Sequence, residues 1–152
     1  MITQANLNDA QEILDLQKLA YQMEAERYND YTLPPLTQTL AEIRDDFEKM
    51  VILKVVQDDK IVGSVRGYAE NETCYIGRLI VHPAYMGRGI GTRLMVEIEN
   101  CFQNVQRFEL FTGHKTAGAL HIYNKMGYRE FRRIELDTHI LVFLEKPVEE
   151  TI

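Results

Sequence analysis

The chain has 152 residues, 45% of them hydrophobic and 26% charged, and its formal net charge is −6 at pH 7. This size predicts a single domain over residues 1–152 with its own apolar core. The acidic balance argues against a nucleic-acid partner, and no apolar run approaches the ~20 residues that cross a membrane. Cys74 and Cys101 form no redox or metal motif, and the first residues lack the features of a secretion signal, so we expect a cytoplasmic protein with reduced thiols.

The first half of the chain predicts a strand, two helices and three strands. Residues 2–5 alternate as a short strand, and Asn8 with Gln11 predicts the capping box of a helix that ends near Tyr28. The next helix begins at Thr37 or Thr39. The three strands that follow are expected at residues 50–57, 61–69 and 74–81, joined by tight turns.

The loop at residues 28–35 separates the two helices. Pro34 and Pro35 interrupt helix there, so we expect either a rigid connector or one wall of a substrate pocket. Gly63 and Gly67, inside the second of the three strands, indicate bulges or a close approach of another backbone.

The stretch from residue 79 to 95 passes from an apolar strand through a turn into a helix. Gly87, Gly89 and Gly91 lack the Cβ atoms that would keep a ligand away from the backbone. The helix that follows directs free N–H groups and a positive dipole end to the same place. The stretch therefore predicts an anion site, most simply for a phosphate or pyrophosphate.

Three nucleotide-binding motifs are candidates for this loop. The dinucleotide fingerprint G-x-G-x-x-G fits poorly because Thr92 or Leu94 stands at its last position, and the P-loop fits poorly because no lysine follows Gly91. The loop instead resembles the acetyl-CoA signature [Q/R]-x-x-G-x-[G/A] of the GCN5-related N-acetyltransferase (GNAT) family. Met86 stands where that family usually has glutamine or arginine.

The second half of the chain supports the same resemblance. A helix after the glycines, a strand at residues 107–112, a helix from about Thr116 and a closing hairpin at residues 129–136 and 139–144 complete the pattern. The family's second motif, N-x-x-A-x-x-[LF]-Y-x-x-x-G-[FY], is similar to Thr116, Ala119, Ile122-Tyr123 and Gly127-Tyr128. Thr116 replaces the usual asparagine, and Ile122 replaces leucine or phenylalanine. Residues 145–152 are expected to fray.

The resemblance implies an α/β fold of order β-α-α-β-β-β-α-β-α-β-β, whose mostly antiparallel sheet splays open between its parallel fourth and fifth strands. It also implies acetyl-CoA as cosubstrate and Tyr123 as the catalytic general acid. The residues implied to contact acetyl-CoA are Leu79, Ile80 and Val81 of the fourth strand, Met86, Gly87, Arg88, Gly89, Ile90, Gly91 and Thr92 of the loop, and His114 and Thr116.

The expected reaction transfers acetyl to a primary amine of a small molecule, peptide or protein. The amine must lose a proton before it attacks, and the general base is left open among Glu70, Glu72, Glu109 and water. Candidates for the acceptor pocket are Tyr28, Tyr31, Arg66, Tyr68 and Tyr75. Four histidines without paired spacing predict no metal site. A non-catalytic acyl-CoA sensor and a homodimer formed through the 28–35 loop remain alternatives.

Overall fold

The computed structural model describes residues 1–148 and contains one mixed sheet. The strands are β1 (Ile2–Gln4), β2 (Val51–Gln57), β3 (Lys60–Glu70), β4 (Thr73–Val81), β5 (Arg107–Gly113), β6 (Arg129–Glu135) and β7 (Ile140–Pro147). The helices are α1 (Ala10–Tyr28), α2 (Pro34–Thr37), α3 (Leu40–Lys49), α4 (Ile90–Asn100) and α5 (Ala117–Lys125). The strand order β1-β2-β3-β4-β5-β7-β6, with β4 and β5 parallel, confirms the predicted architecture.

Two helix starts differ from their predictions. The capping box before α1 is formed by Asn6 and Asp9 around a 3-10 turn, not by Asn8 and Gln11, because the Asn6 side chain already accepts the Asn8 N–H. Pro34 begins the short helix α2 instead of leaving a plain loop, since proline lacks only an N–H that a first helical turn does not use. The capping box of Thr39 and Glu42 at α3 is confirmed.

Helices cover the sheet on both faces. α1 and α3 pack over Ile52, Ile61 and Ile80, whereas α4 and α5 pack on the larger core of the opposite face. Gly63 and Gly67 lie under α4, and a Cβ at Gly63 would stand 3.0 Å from the Ile90 side chain. The close approach at these glycines is therefore made by side chains of α4 and the residues after it, not by another backbone as predicted.

β4 and β5 pair over a short distance and then diverge. Their parallel register covers only Thr73–Tyr75 against Arg107–Glu109. Between Ser64 and Arg66 the register of β3 shifts against β4, which places a bulge at residues 78–79 of β4. The sheet therefore opens between the carboxyl halves of β4 and β5, as the resemblance implied.

The closing hairpin continues further than expected. β7 pairs with β5 out to Pro147, so residues 145–147 are strand, and the prediction of a frayed tail is wrong for them. Backbone pairing overrides the charge of Glu145 and Lys146, because both side chains find partners in Arg107 and Glu99. Residues 149–152 lie outside the described residues.

Candidate active site

Gly87 and Gly89 form an open, left-handed loop at the head of α4. Their φ angles are 78° and 77°, and a Cβ built on either residue would meet no atom within 4 Å. A side chain would cost strain at both positions and would occupy the empty space over the loop. These two residues thus have the geometry of a cradle that a bound group fills.

Gly91 has a different role from the one predicted for all three glycines. It is buried in the first turn of α4, and a Cβ there would lie 3.1 Å from Cδ1 of Ile122 on α5. Its missing side chain lets the two helices approach each other. Only its backbone N–H remains available to a ligand.

The first turn of α4 supplies free donors. The Arg93 N–H bonds the Gly89 carbonyl at 3.1 Å, so the N–H groups of Ile90, Gly91 and Thr92 have no acceptor within the helix. Gly89 offers no side-chain cap. Three donors and the positive end of the helix dipole therefore meet beside the open glycine loop, which suits a phosphate or pyrophosphate.

The loop is anchored through Tyr85. This side chain is buried, and its hydroxyl donates to Asp58 at 2.6 Å in the turn between β2 and β3. The Arg88 guanidinium lies 4.9 Å from the centre of the Tyr85 ring, which holds a cation next to the glycines. Met86 is 56% exposed, so its side chain is not part of this anchor.

The end of β4 lines the opening of the sheet. Ile80 is buried against α1, while Leu79 and Val81 pack partly against the core on the α4 side. Beyond Tyr75, β4 has no pairing with β5, so its edge toward the opening lacks strand partners. Such an edge has main-chain donors and acceptors for an extended ligand.

Two tyrosines on helices of opposite faces of the sheet have raised pKa values. Tyr123 on α5 is 6% exposed, and burial together with the nearby Tyr21 on α1 raises the pKa of its phenol above the usual value. A raised pKa keeps this hydroxyl protonated, as a proton donor requires. Burial also raises the pKa of Tyr21, whose closest charges are Arg78, Glu24 and Arg66.

Thr116 and His114 are half-buried, and both have hydrogen-bond partners within the chain. The Lys115 N–H donates to the Tyr28 hydroxyl (2.8 Å), which lies 2.8 Å from the Thr116 hydroxyl, and Thr116 in turn donates to Glu24 at 2.7 Å. Because the single Thr116 proton goes to Glu24, the Tyr28 hydroxyl donates to Thr116. The predicted cosubstrate contacts of His114 and Thr116 stay predictions.

His114 is engaged at one ring nitrogen, since its Nδ1 accepts the Ile140 N–H at 3.0 Å. The rest of the second motif is largely core. Ile122 faces Gly91, and Tyr128 is buried with its hydroxyl donating to Glu99 at 2.7 Å. Tyr123 of this motif is buried in the same core cluster.

The three glutamates considered as general base lie in different parts of the sheet. Glu70 and Glu72 lie at the turn between β3 and β4, about 20 Å along β4 from Leu79 at ~3.3 Å per residue. That distance places both carboxylates far from Leu79, Ile80 and Val81 at the end of β4. Glu109 sits in the last paired position of β4 and β5, opposite Tyr75, and forms an ion pair with Arg107 at 2.9 Å.

The residues predicted to line the pocket for the acceptor amine lie in different environments. Arg66 is 4% exposed and bonds Asp46 (2.6 Å) and Gln17 (2.9 Å), so its expected place in an open pocket is wrong. Tyr68 and Tyr75 stack with ring centres 5.2 Å apart on the sheet surface. Tyr28 is buried within the Thr116 network, and Tyr31 is 55% exposed in the loop before α2.

Sequence reasoning missed Tyr21, Glu24 and Arg78. Tyr21 and Glu24 lie in α1, and Arg78 lies in β4. Tyr21, Glu24 and Tyr28 are spaced i, i+3 and i+7, which places them on one side of the last two turns of α1. This spacing was the signal that could have found Tyr21 and Glu24.

No helix among residues 1–148 is long and apolar enough to cross a membrane, and no three His, Cys, Asp or Glu residues of that range are arranged to hold a metal ion.

Comparisons with known proteins agree with this geometry. Residues 10–128 match the model of the acetyltransferase (GNAT) family, and the chain therefore belongs to that family. The structure superposes with a TM-score of 0.82 on the ribosomal-protein-S18-alanine N-acetyltransferase of Escherichia coli (13% identity, 99% of this chain, 95% of that one). For the PaiA N-acetyltransferase of Thermoplasma acidophilum in complex with coenzyme A, the TM-score is 0.80 (13% identity, 97% and 98% covered).

Among curated sequences, the chain resembles the UPF0157 protein YqkA of Bacillus subtilis. The two are 23% identical over 133 residues, which cover 88% of this chain. The matched part is 38% of that relative, so the chain spans about two fifths of its length.

Proposed function

We propose that residues 1–152 form one N-acetyltransferase domain that moves an acetyl group from acetyl-CoA to a primary amine. The single observation that carries this proposal is that a phosphate cradle packs against the helix that bears a buried tyrosine. Gly87 and Gly89 leave space at the free N–H groups of α4, and the first turn of that helix meets α5 at Ile122, the residue before Tyr123. Family membership and the E. coli and T. acidophilum structures support acetyl transfer as the chemistry.

Each part of the site has its own task in this proposal. The N–H groups of Gly87 to Thr92 and the Arg88 guanidinium hold the pyrophosphate of acetyl-CoA, while His114 and Thr116 contact its pantetheine or ribose. The backbone of Leu79, Ile80 and Val81 pairs with the pantetheine arm and donates to the thioester oxygen as negative charge develops there.

Tyr123 completes the reaction as general acid. The amine nitrogen forms a bond to the acetyl carbon, the carbon–sulfur bond breaks, and Tyr123 gives its proton to the departing sulfur. The proton of the amine leaves through water or to Glu109, the one predicted carboxylate that lies at the point where β4 and β5 separate.

The experiment is calorimetric titration with acetyl-CoA followed by detection of free CoA thiol over a panel of amines. The Tyr123→Phe variant is expected to lose about 100-fold or more in kcat and to keep its affinity for acetyl-CoA. The matched control is Tyr128→Phe, which also removes a buried tyrosine hydroxyl, one that is bonded to Glu99 in the core. Absence of acetyl-CoA binding would refute the proposal, and binding without thiol release on any amine would favour the acyl-CoA sensor.

Two further expectations accompany this function. Cys74 and Cys101 are free thiols, which supports a reducing, cytoplasmic setting. A homodimer through residues 28–35 stays a prediction, and size-exclusion chromatography with light scattering tests it.

A further inference from the structure

Arg78 occupies an unusual position in β4. Its φ is 51°, in the left-handed region that costs energy for a residue with a Cβ, and it lies in the bulge where the register against β3 shifts. Gly77, directly before it, does not take up this conformation. The bulge directs the half-buried Arg78 side chain toward the start of α3 and α1.

The guanidinium of Arg78 forms no ion pair with any carboxylate of residues 1–148. Its hydrogen bond goes to a neutral acceptor, Oε1 of Gln38, at 3.2 Å. The nearby carboxylate of Asp46 is already bonded by Arg66 and by the amide of Gln38, each at 2.6 Å. Glu42 also acts on this region, but its carboxylate caps α3 at the Thr39 N–H.

Arg66 has the carboxylate of Asp46 as its ionic partner, and Arg78 has none within residues 1–148. Burial and the positive charge of Arg78 lower the pKa of Arg66 to about 10, as expected where two guanidinium groups repel each other. An anion bound by Arg78 would relieve this repulsion. In a chain with net charge −6, an unpaired, half-buried arginine is a conspicuous feature.

The cation also lies next to the transfer centre. Arg78 precedes Leu79, the first β4 residue proposed to contact the cosubstrate, and it is among the charges nearest to Tyr21, the neighbour of Tyr123. Glu24 acts on Tyr21 with the opposite sign. A ligand that carries an amine and a carboxylate would meet charges of both complementary signs here.

We propose that Arg78 determines acceptor specificity by binding a carboxylate of the acceptor, so that the substrates are amines that carry a carboxylate, such as amino acids and short peptides. This inference rests on the proposed acetyltransferase function. A guanidinium matches a carboxylate with two parallel hydrogen bonds, which a carboxamide cannot replace.

The test compares acceptors that differ only in this group. Acetyl transfer is measured on free amino acids, ω-amino acids and dipeptides, and on the carboxamide of each. The wild-type protein is expected to prefer the carboxylate form in kcat/KM by about 10- to 100-fold, the range for a hydrogen bond to a charged group. Arg78→Gln is expected to remove this preference by lowering transfer to the carboxylates alone, and Arg78→Lys to restore part of it.

Controls separate this role from a structural one. Arg78→Gly removes the charge and fits the left-handed backbone, so backbone strain does not contribute to its loss of preference. Arg44→Gln makes the same change in net charge on the exposed face of α3 and is expected to keep the preference.

Equal transfer to carboxylates and carboxamides by the wild-type protein would overturn the inference, as would an equal loss on both forms in Arg78→Gln. Acetyl-CoA binding without transfer to any carboxylate acceptor in the panel would also overturn it, while leaving acetyl transfer to other amines open. Absence of acetyl-CoA binding would instead refute the proposed function itself.

Discussion

The alanine variants of the loop glycines give a sharp test, because the structure assigns them different roles. In Gly89→Ala the added Cβ meets no protein atom within 4 Å, so the whole cost comes from the φ of 77°. That strain amounts to about 1 to 2 kcal/mol. A protein of this size loses roughly 2 to 4 °C in melting temperature for each kcal/mol, and the expected decrease is about 2 to 8 °C.

Gly89→Ala should reduce the affinity for acetyl-CoA more strongly than it reduces the stability of the fold. The Cβ of Gly89→Ala enters the space where the pyrophosphate is proposed to lie, and losing one hydrogen bond to a charged group weakens binding about tenfold or more. Gly87→Ala has the same φ and the same open space, so it is expected to behave alike.

Gly91→Ala should separate packing from binding. The new methyl would lie 3.1 Å from the flexible end of Ile122, and alanine is the better helix former by about 1 kcal/mol, so the two effects nearly cancel. Its N–H stays in place, and acetyl-CoA affinity should remain close to that of the wild type.

The assay is thermal unfolding combined with calorimetric titration of acetyl-CoA. Gly118→Ala serves as control, because it lies in α5 with open space around it and should gain about 0.5 to 1 kcal/mol in stability. Wild-type affinity in both Gly87→Ala and Gly89→Ala would show that the phosphate cradle is misassigned.

Three further predictions concern buried and charged groups. Gln17→Leu leaves Nη2 of the buried Arg66 without its acceptor and should cost about 2 to 4 kcal/mol in urea unfolding; an unchanged midpoint would contradict this. Burial alone would raise the pKa of Asp9, but the Asn6 N–H and Lys54 outweigh it and lower the pKa below 3.8. The stabilisation of the fold by the ionised Asp9 is therefore present above pH 4 and is lost as the pH falls through the folded-state pKa. Asp9→Asn should therefore flatten the acid limb of the unfolding free energy. Because burial raises the pKa of Tyr123, kcat should not fall through pH 10 from its ionisation, and a decline there that Tyr123→Phe abolishes would refute this assignment.

Local patterns carried most of the fold prediction. The order of the seven strands and the four longer helices, the capping box at Thr39 and the turn into α4 depend on residues close together in sequence, and all were confirmed; the short helix α2 was not predicted. The capping residue before α1 was misplaced by two positions, since Asn6 and Asn8 are equally suitable by type and only the backbone of the 3-10 turn decides between them.

The sequence by itself determined the glycine loop, its free N–H groups and the position of Tyr123, because a left-handed turn before a helix is encoded by adjacent residues. Only the tertiary structure decided what the side chains beside the opening do. Tyr21 contributes to the raised pKa of Tyr123, Arg66 bonds side chains of α1 and α3, and Arg78 lies in a bulge of β4 and bonds Gln38. These relations join residues far apart in the chain, and they depend on where β4 and β5 separate and on how the helices cover each face.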